Sequence, residues 1–358
     1  MPKSKTIMVA PLHWGLGHAT RCIPIIRALL DHNYHVLLAS DGAALMLLQK
    51  EFPQLEAIEL PSYNISYPKI RILFKWKMLL QIPKVKKIIA SEKRIVAQLV
   101  SEDKIQGIIS DNRFGVRNNK IPSVFITHQL NVLSGNTSFF SSKVHQRIIK
   151  KFNICWVPDT NEVIKNLSGK LGHPTKNDLA VNYIGVLSRM KKQEVSKTID
   201  ILILISGPEP QRTALEEMLK PLFEKSKKRV IMIRGVVEEN QKWETLGSIE
   251  LVNYMTSSEL EETINKSEIV ICRSGYTTIM DLTVLEKKVF FIPTPGQYEQ
   301  EYLAKHLKKL GVAPFCKQNN FKLEELDKVA VYKGLSTLTS SEVNYSELFA
   351  PFKSERKL

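Results

Sequence analysis

Two histidines follow the first predicted strand, in a loop that is rich in glycine. The apolar run Thr6–Ala10 predicts the strand, the segment Pro-Leu-His-Trp-Gly-Leu-Gly-His follows it, and an apolar helix begins after His18. Imidazole takes up a proton near neutral pH, and glycine at a helix start lets a ligand approach the backbone. We therefore expect His18 to be a general base. His13 and Asp111, which ends a later strand, are the alternatives, and Asp111 also fits a helix cap.

A second candidate site follows a strand in the C-terminal half. The run Glu268–Arg273 predicts a buried parallel strand, and Ser274-Gly275 predicts a tight turn into a helix. The free N–H groups and the positive dipole end of such a helix suit a diphosphate. Asp281, further along this helix, can accept hydrogen bonds from ribose hydroxyls. The alternative interpretation is an ordinary turn of an α/β protein without a ligand.

Strands alternate with helices along the whole chain. This alternation predicts an α/β protein of two doubly wound Rossmann-like domains that face each other across a cleft. Further strands are predicted at 35–40, 57–60, 107–111, 123–127, 154–157, 199–205, 229–234, 249–252 and 289–293. We expect an N-terminal domain at 1–180, a linker at 181–197, a C-terminal domain at 198–340 and a tail at 341–358.

The charge of the chain favours an anionic partner. Its 358 residues include 51 Lys and Arg against 36 Asp and Glu, a net charge of +15. Four widely spaced cysteines without a Cys-x-x-C pair are typical of reduced thiols in a cytoplasmic protein. A secretory signal and an apolar run of about 20 residues are both missing, so we expect a soluble protein. The sequence also contains no nucleic-acid recognition motif.

One basic stretch contains no acidic residue. Between 60 and 91 there is no Asp or Glu, whereas seven Lys or Arg alternate with Ile, Leu, Phe and Trp between 69 and 87. Such a helix suits an anionic membrane interface, and we expect 69–87 to contact one. The alternative is a core helix whose lysine side chains extend to the solvent.

The sequence resembles the GT-B-fold glycosyltransferases of family 28, the family of the lipid II-forming N-acetylglucosaminyltransferase. The segment 273–281, Arg-Ser-Gly-Tyr-Thr-Thr-Ile-Met-Asp, is similar to the donor-binding segment of that family. Gly-Leu-Gly-His18 resembles its first loop, and 127–135 resembles the segment that lines its acceptor cleft. Gln129 stands where the family has Glu, and Ser206-Gly-Pro-Glu-Pro replaces a run of Gly and Ser. These departures favour a relative with a different acceptor.

The resemblance implies a hexosyltransferase that inverts the anomeric carbon. It would move N-acetylglucosamine or a similar sugar from a UDP-sugar to a hydroxyl, on a lipid-linked acceptor at the cytoplasmic membrane face. We expect no cofactor and no metal, since the chain lacks an Asp-x-Asp motif and fixed dipoles and cations can stabilise the leaving diphosphate. The implied donor-binding residues are Gly17, Arg189, Ser206, Gly207, Arg273, Ser274, Gly275, Thr277, Thr278, Asp281, Gln297, Glu299 and Gln300. The implied acceptor-side residues are His128, Gln129 and Asn131.

Two other functions remain compatible with the sequence. A non-hydrolysing UDP-sugar epimerase has the same architecture and would act on a UDP-sugar without an acceptor. A non-catalytic subunit that binds a sugar nucleotide or a lipid would not need His18 or Asp281.

Overall fold

The chain forms two compact α/β units. The computed structural model describes residues 4–63, 74–135, 137–162, 164–175, 178–236, 238–338 and 343–353, and only the helical backbone of 74–80. The first unit comprises 1–161, 170–187 and 342–358, and the second comprises 162–169 and 188–341. The predicted boundaries at 180, 197 and 340 remain predictions.

The first unit contains a seven-stranded parallel sheet. Its strands are β1 (Thr6–Pro11), β2 (His35–Ser40), β3 (Ala57–Glu59), β4 (Gly107–Asp111), β5 (Ser123–Ile126), β6 (Ile154–Val157) and β7 (Val181–Tyr183). They lie in the order β3-β2-β1-β4-β5-β6-β7. The order changes direction at β1, as in Rossmann-like sheets, which bind ligands beyond the carboxyl ends of the strands at this point.

The second unit contains a six-stranded sheet. Its strands are β8 (Ile199–Leu204), β9 (Val230–Ile233), β10 (Trp243–Leu246), β11 (Ile249–Val252), β12 (Ser267–Cys272) and β13 (Lys288–Phe291). They lie in the order β10-β11-β9-β8-β12-β13, and β10 alone among these strands is antiparallel to its neighbour. The two sheets confirm the prediction of two doubly wound Rossmann-like units. The short strands β7 and β10 were not predicted.

Helices connect the strands in both units. The helices are α1 (Gly17–Asp31), α2 (Gly42–Glu51), α3 (Phe74–Ser101), α4 (Ser138–Ile149), α5 (Gln211–Phe223), α6 (Ser257–Lys266), α7 (Tyr276–Val284), α8 (Tyr298–Lys309), α9 (Tyr345–Leu348) and α10 (Ala350–Lys353). Short 3-10 helical segments occur at Gly169–Leu171, Gln318–Asn320, Leu323–Val331 and Leu335–Thr337. No helix in the described part of the chain has the length and apolar character that a bilayer-spanning segment requires.

Residues 343–353 pack against the first sheet. Phe349 and Phe352 are fully buried, with ring centroids 6.5 and 6.3 Å from that of Trp156 on β6. Burying a phenylalanine side chain stabilises a fold by about 1.5–3 kcal/mol, so residues 343–353 contribute to the core. These residues fall within the predicted tail, 341–358.

The predicted membrane segment is only partly described. Residues 69–73 and the side chains of 74–80 lie outside the described residues, so 81–87 alone represent the segment. These residues lie in α3, where Ile82, Lys84, Lys86 and Lys87 are exposed.

Buried strands place the loops that carry the predicted site residues. Every residue of β4 and β5 is buried, as expected for parallel strands that are covered on both faces. Pro11 at the end of β1 is in register with Asp111 at the end of β4. In the second unit, Leu204 of β8 is in register with Cys272 of β12. The loops that leave each of these pairs therefore begin side by side.

Candidate active site

His18 and Asp111 form a hydrogen-bonded pair at the carboxyl edge of the first sheet. His18 lies in the first turn of α1, and its Nδ1 is 2.8 Å from Oδ1 of Asp111. A proton on Nδ1 that is donated to the carboxylate leaves Nε2 as a proton acceptor. Among the described residues, no side chain or backbone group forms a hydrogen bond with this Nε2. The structure therefore brings two of the three predicted base candidates into one arrangement.

A buried arginine completes this pair. The guanidinium of Arg21 binds both carboxylate oxygens of Asp111, and its Nη1 lies 3.2 Å from Nδ1 of His128. Arg21 lies one turn after His18 on α1 and is almost completely buried. Arg21 was not among the predicted site residues. The sequence does contain a feature that indicates its role: Arg21 lies on the apolar face of a predicted helix, where a charged side chain requires a buried partner.

Burial keeps the imidazole of His18 neutral, although Asp111 opposes this effect. Burial lowers the pKa of His18 below its usual range, Asp111 opposes this shift, and the Arg21 cation reinforces it. Burial disfavours the charged form of Asp111, yet the nearby Arg21 and His18 hold the pKa of its carboxyl well below the ordinary value. The pair is thus a neutral imidazole beside a permanent carboxylate. This is the protonation state that a general base needs. Asp111 is consequently unsuited to be the base itself and instead orients His18.

His13 forms a second, more exposed pair. Its Nδ1 lies 3.2 Å from Oδ2 of Asp41, and its side chain is 31% exposed. Asp41 also binds the buried guanidinium of Arg113, which in turn lies 2.8 Å from the carboxylate of Glu92. The His13–Asp41 contact is longer than the 2.8 Å contact of His18 with Asp111, and His13 is the more exposed of the two histidines, so Asp41 is a weaker partner for His13. His13 therefore remains an alternative base with less support from the geometry.

The predicted acceptor-side residues follow β5. His128 is buried and contacts Arg21, whereas Gln129 and Asn131 are partly exposed. The side-chain amide of Asn131 donates to the carbonyl of Lys170 at 2.8 Å. His128 therefore belongs to the surroundings of the base, and Asn131 holds its own loop in place.

Two loops of the second unit begin at neighbouring strands. Ser206 and Gly207 follow β8 and are exposed, and Gly207 has a φ of 111° that favours glycine. Gly275 is the N-cap residue of α7, after β12. A methyl group added at Gly275 would lie no closer than 3.9 Å to another atom, that of Thr278 Oγ1, so the space beside it is open. The first-turn N–H groups of α7 lie beside this space, and their binding of a diphosphate remains a prediction.

Polar side chains border the start of α7. Thr277 and Thr278 are partly exposed in its first turn, while Oγ of the buried Ser274 donates to the carbonyl of Gln300 at 2.8 Å. Ser274 therefore fixes the turn, and its hydroxyl proton is already used.

Asp281 lies buried on α7 beside the chain that enters the second unit. Oγ of Ser188 donates to its Oδ1 at 2.6 Å, and Nη1 of Arg189 donates to Oγ of Ser257 at 2.7 Å. Burial raises the pKa of Asp281 to about 6, although the Arg189 charge and the Ser188 hydrogen bond oppose the shift. A raised carboxyl pKa beside a cation is a common mark of a functional site. Ser188 was missed in the sequence analysis.

Arg273 points into the protein and not toward a ligand. Its guanidinium donates to the carbonyls of Ile292, Pro293 and Gln211 at 3.0–3.1 Å, and to the side chain of Gln318 at 2.8 Å. Burial lowers its pKa to about 10. These hydrogen bonds give Arg273 a structural role, and its contact with the donor remains a prediction. Arg273 ties together the segments that follow β12 and β13, because a buried guanidinium must satisfy its donors.

The loop 294–297 is held by Gln300. The backbone N–H of Thr294 donates to Oε1 of Gln300 at 2.9 Å, and Nε2 of Gln300 donates to Oε1 of Gln297 at 2.8 Å. Glu299 is partly exposed in the first turn of α8. Gln297 and Gln300 thus brace each other, and Gln300 connects this loop to Ser274.

The C-terminal half of the chain is similar to a known protein family. Residues 204–347 match the glycosyltransferase family 28 C-terminal domain. This part of the chain is therefore similar to the C-terminal domain of that family. It contains the turn at Ser206, the helix start at Gly275 and Asp281, so the resemblance predicted from 273–281 is confirmed.

Two curated relatives carry the same name, UDP-N-acetylglucosamine--N-acetylmuramyl-(pentapeptide) pyrophosphoryl-undecaprenol N-acetylglucosamine transferase. The protein of Mannheimia succiniciproducens is 23% identical over 241 residues, which cover 64% of this chain and 63% of the relative. The protein of Clostridium perfringens strain SM101 is 25% identical over 360 residues, which cover 96% of this chain and 93% of the relative. The first match thus spans less than two thirds of that relative.

A solved structure supports the architecture. The crystal structure of MurG from Acinetobacter baumannii is similar with a TM-score of 0.55 at 14% identity, over 96% of this chain and 97% of the other. At this identity the likeness concerns the fold alone. The predicted GT-B fold, with its two Rossmann-like domains, is confirmed.

Proposed function

We propose that this chain is an inverting hexosyltransferase that needs neither metal nor cofactor. It moves N-acetylglucosamine or a similar sugar from a UDP-sugar to a hydroxyl of a lipid-linked acceptor, at the cytoplasmic face of the membrane. The observation that carries the proposal is the 2.8 Å contact between His18 and Asp111, which supplies a neutral, oriented base for a hydroxyl. The similarity to the family 28 domain and the names of the relatives support the class of reaction.

His18 takes the acceptor proton. The acceptor oxygen forms a bond to the anomeric carbon, the bond from this carbon to the β-phosphate oxygen breaks, and UDP leaves. The hydroxyl proton passes to Nε2 of His18, and the positive charge that develops there is stabilised by Asp111. Arg21 keeps Asp111 ionised throughout. Attack from the side opposite the leaving group inverts the anomeric carbon.

The second unit binds the leaving UDP. The N–H groups at the start of α7 donate to the diphosphate, and the absence of a side chain at Gly275 allows close approach. Arg189 adds a positive charge, and the Asp281 carboxylate accepts hydrogen bonds from the ribose hydroxyls. Stabilisation of the negative charge that grows on UDP is the largest contribution such a site makes to the rate.

The substrate classes are taken from the relatives. Their names specify a UDP-N-acetylglucosamine donor and a pyrophosphoryl-undecaprenol acceptor. We assign a UDP-sugar and a polyprenyl-linked saccharide to this chain on that basis. The net charge of +15 favours an anionic membrane surface.

An acceptor-dependent assay tests the proposal. The protein is incubated with UDP-N-acetylglucosamine and a bacterial lipid extract in the presence of EDTA, and UDP release is measured. We expect release that requires the extract, survives EDTA and is lost with His18→Ala. NMR of the glycolipid product reports the anomeric configuration.

The alternatives give different results in the same assay. An epimerase would change the sugar nucleotide without lipid extract. A binding subunit would bind UDP-N-acetylglucosamine without turnover in either condition. Either result would overturn the proposal.

A further inference from the structure

Helix α4 carries an exposed apolar face outside the predicted membrane segment. The side chains of Phe139, Phe140 and Val144 are 64%, 71% and 56% exposed. They occupy positions i, i+1 and i+5 of the helix and therefore lie on one side of it. Two adjacent exposed phenylalanines on a short helix are costly in water, and a patch of this kind marks a contact surface.

The same face is cationic. Counted from Phe139, Lys143 is at i+4 and Arg147 is at i+8, so both lie on the same side of the helix as the apolar residues. Nζ of Lys143 lies 4.4 Å from the ring centroid of Phe139. Neither cation forms an ion pair with another described residue. The sequence from 112 to 158 contains no Asp or Glu at all. An apolar helix face edged by unopposed cations is complementary to an anionic lipid surface.

A second copy of the chain is a poorer partner for this face. The chain carries a net charge of +15, so bringing two such cationic faces together is opposed by repulsion.

The inner side of α4 is bound to the predicted acceptor loop, 127–135. Three of its side chains form hydrogen bonds to backbone groups of the loop, at 2.9, 3.1 and 2.9 Å. These bonds join Ser142 to the N–H of Val132, Gln146 to the carbonyl of Leu130, and Ser138 to the N–H of Ser134. The position of the helix therefore determines the position of the loop.

The loop in turn contacts the surroundings of the base. His128 lies at its start, and Nδ1 of His128 is 3.2 Å from Nη1 of Arg21. Arg21 binds Asp111, the partner of His18. Hydrogen bonds from α4 to the loop, the backbone between Leu130 and His128, and the contacts of Arg21 with His128 and Asp111 thus connect the inner side of α4 with His18.

We infer that the exposed face of α4 (Phe139, Phe140, Lys143, Val144 and Arg147) docks on an anionic lipid surface and that docking orders the loop 127–135. The inference rests on the proposed function, because only that proposal makes the loop 127–135 an acceptor site. The docking itself requires no turnover, so it can be tested whether or not the chain is a transferase.

Vesicle co-sedimentation of the full chain tests the docking. Vesicles of phosphatidylcholine are compared with vesicles of equal parts phosphatidylcholine and phosphatidylglycerol. We expect binding to the anionic vesicles, and a loss of roughly tenfold or more in affinity for Phe139→Ser/Phe140→Ser and for Lys143→Glu/Arg147→Glu. Trp243→Ser is the matched control, since Trp243 is 50% exposed on β10 of the second unit. It should bind as the unaltered chain does.

Hydrogen–deuterium exchange tests the coupling. Anionic vesicles should slow amide exchange in 137–149 and in 127–135. Ser142→Ala removes the partner of the Val132 N–H, one of the three bonds that join α4 to the loop, and should keep vesicle binding while it reduces the protection of 127–135, most strongly at Val132.

Specific results would overturn the inference. Protection confined to 74–101, or equal binding by the double phenylalanine variant, would remove α4 from the lipid contact. A change in the sedimentation of the lipid-free chain with that variant, without vesicle binding, would assign the face to a second copy. Loop protection that is not reduced in Ser142→Ala would refute the coupling through this bond. If the chain binds vesicles but releases no UDP, the proposed function is wrong and the docking inference still holds.

Discussion

Nδ1 of His18 lies 2.8 Å from Oδ1 of Asp111, although 93 residues separate them in the sequence. Their proximity follows from the sheet, because β1 and β4 are adjacent and Pro11 is in register with Asp111. The start of α1, which carries the histidine, is thereby placed beside the carboxylate. We expect substitutions of His18 and of Asp111 to have different effects, because Asp111 also pairs with the buried Arg21.

Replacement of His18 by alanine should abolish most of the turnover. If Nε2 takes the acceptor proton, the rate should fall roughly 10²- to 10⁴-fold, with unchanged affinity for UDP. Initial rates of UDP release and calorimetric UDP binding measure the two quantities. His13→Ala is the control, and its rate should fall much less because His13 is more exposed than His18 and lies 3.2 Å, against 2.8 Å, from its carboxylate. The reverse order of effects would transfer the role of base to His13.

Replacement of Asp111 by asparagine should damage both activity and stability. The amide cannot fix the proton on Nδ1 of His18, so we expect a rate loss on the order of 10⁴-fold, as in other His–Asp pairs. The buried Arg21 would also lose its counter-charge, which costs about 3–5 kcal/mol of unfolding free energy. Denaturant unfolding and UDP release at low temperature, where the variant stays folded, separate the two effects. A variant as stable as the unaltered protein would contradict the ion pair.

The rate should fall at acidic pH, with a midpoint below the usual histidine range. Protonated His18 cannot accept a proton, and burial together with the Arg21 charge lowers its pKa below 6.5 despite the opposing Asp111. Activity should thus be complete at pH 7 and lost as the pH falls through the lowered pKa. The profile of kcat/KM against pH measures the midpoint. A midpoint above 6.5 would show that another group titrates.

Much of the fold follows from local sequence patterns. The apolar run at Gly107–Asp111 predicts a buried strand with the correct bounds, since branched aliphatic residues bounded by polar ones favour one. The turn at Gly275 is likewise predicted, because glycine before a helix start is a local signal. The strand β7 was not predicted, as Val181–Tyr183 is too short to show a period.

The partners of the site residues depend on the folded chain. No local signal connects Arg21 with Asp111, or Ser188 with Asp281, because each pair is joined only when distant strands and helices pack. Arg273 illustrates the reverse case. Its place in a donor-like motif suggests a ligand, whereas the cost of burying a guanidinium directs it to backbone carbonyls.

Asp281 should make the stability of the second unit depend on pH. Because burial raises its pKa from the ordinary 3.8 to about 6, the folded state favours the protonated carboxyl. The resulting stabilisation is complete below pH 3.8 and is lost as the pH rises to about 6. Above that, the buried carboxylate costs up to about 3 kcal/mol. Asp281→Asn should therefore raise the unfolding free energy at pH 7 but not at pH 4, as measured by urea denaturation.

The same substitution should weaken UDP binding. A carboxylate accepts stronger hydrogen bonds from ribose hydroxyls than an amide does, so we expect about a tenfold loss of affinity at pH 7. For the unaltered chain, affinity should increase as the pH rises through 6. Affinity that does not change with pH, or with the substitution, would remove Asp281 from the ribose site.

Two arginines near the donor site should have opposite roles. Arg273→Met removes four hydrogen bonds to buried acceptors and should destabilise the protein by about 3 kcal/mol or more, because those carbonyls lose their donor. Arg189→Met removes the charge that favours the Asp281 carboxylate, so it should destabilise the protein but less than Arg273→Met does, and it should weaken UDP binding about tenfold. Differential scanning fluorimetry with and without UDP measures both effects. A large loss of stability in the Arg189 variant would assign it a structural role as well.

Gly275→Ala should block UDP without disturbing the fold. Gly275 has a φ of −73°, which alanine adopts without strain, and its methyl group would lie 3.9 Å from Oγ1 of Thr278. The melting temperature should therefore stay the same or rise slightly. A diphosphate that approaches the backbone here would meet the methyl group, so UDP affinity should fall by about tenfold or more. Calorimetry measures that affinity. Unchanged binding would show that the phosphates lie elsewhere, because the variant removes only the open space and keeps every N–H group of α7.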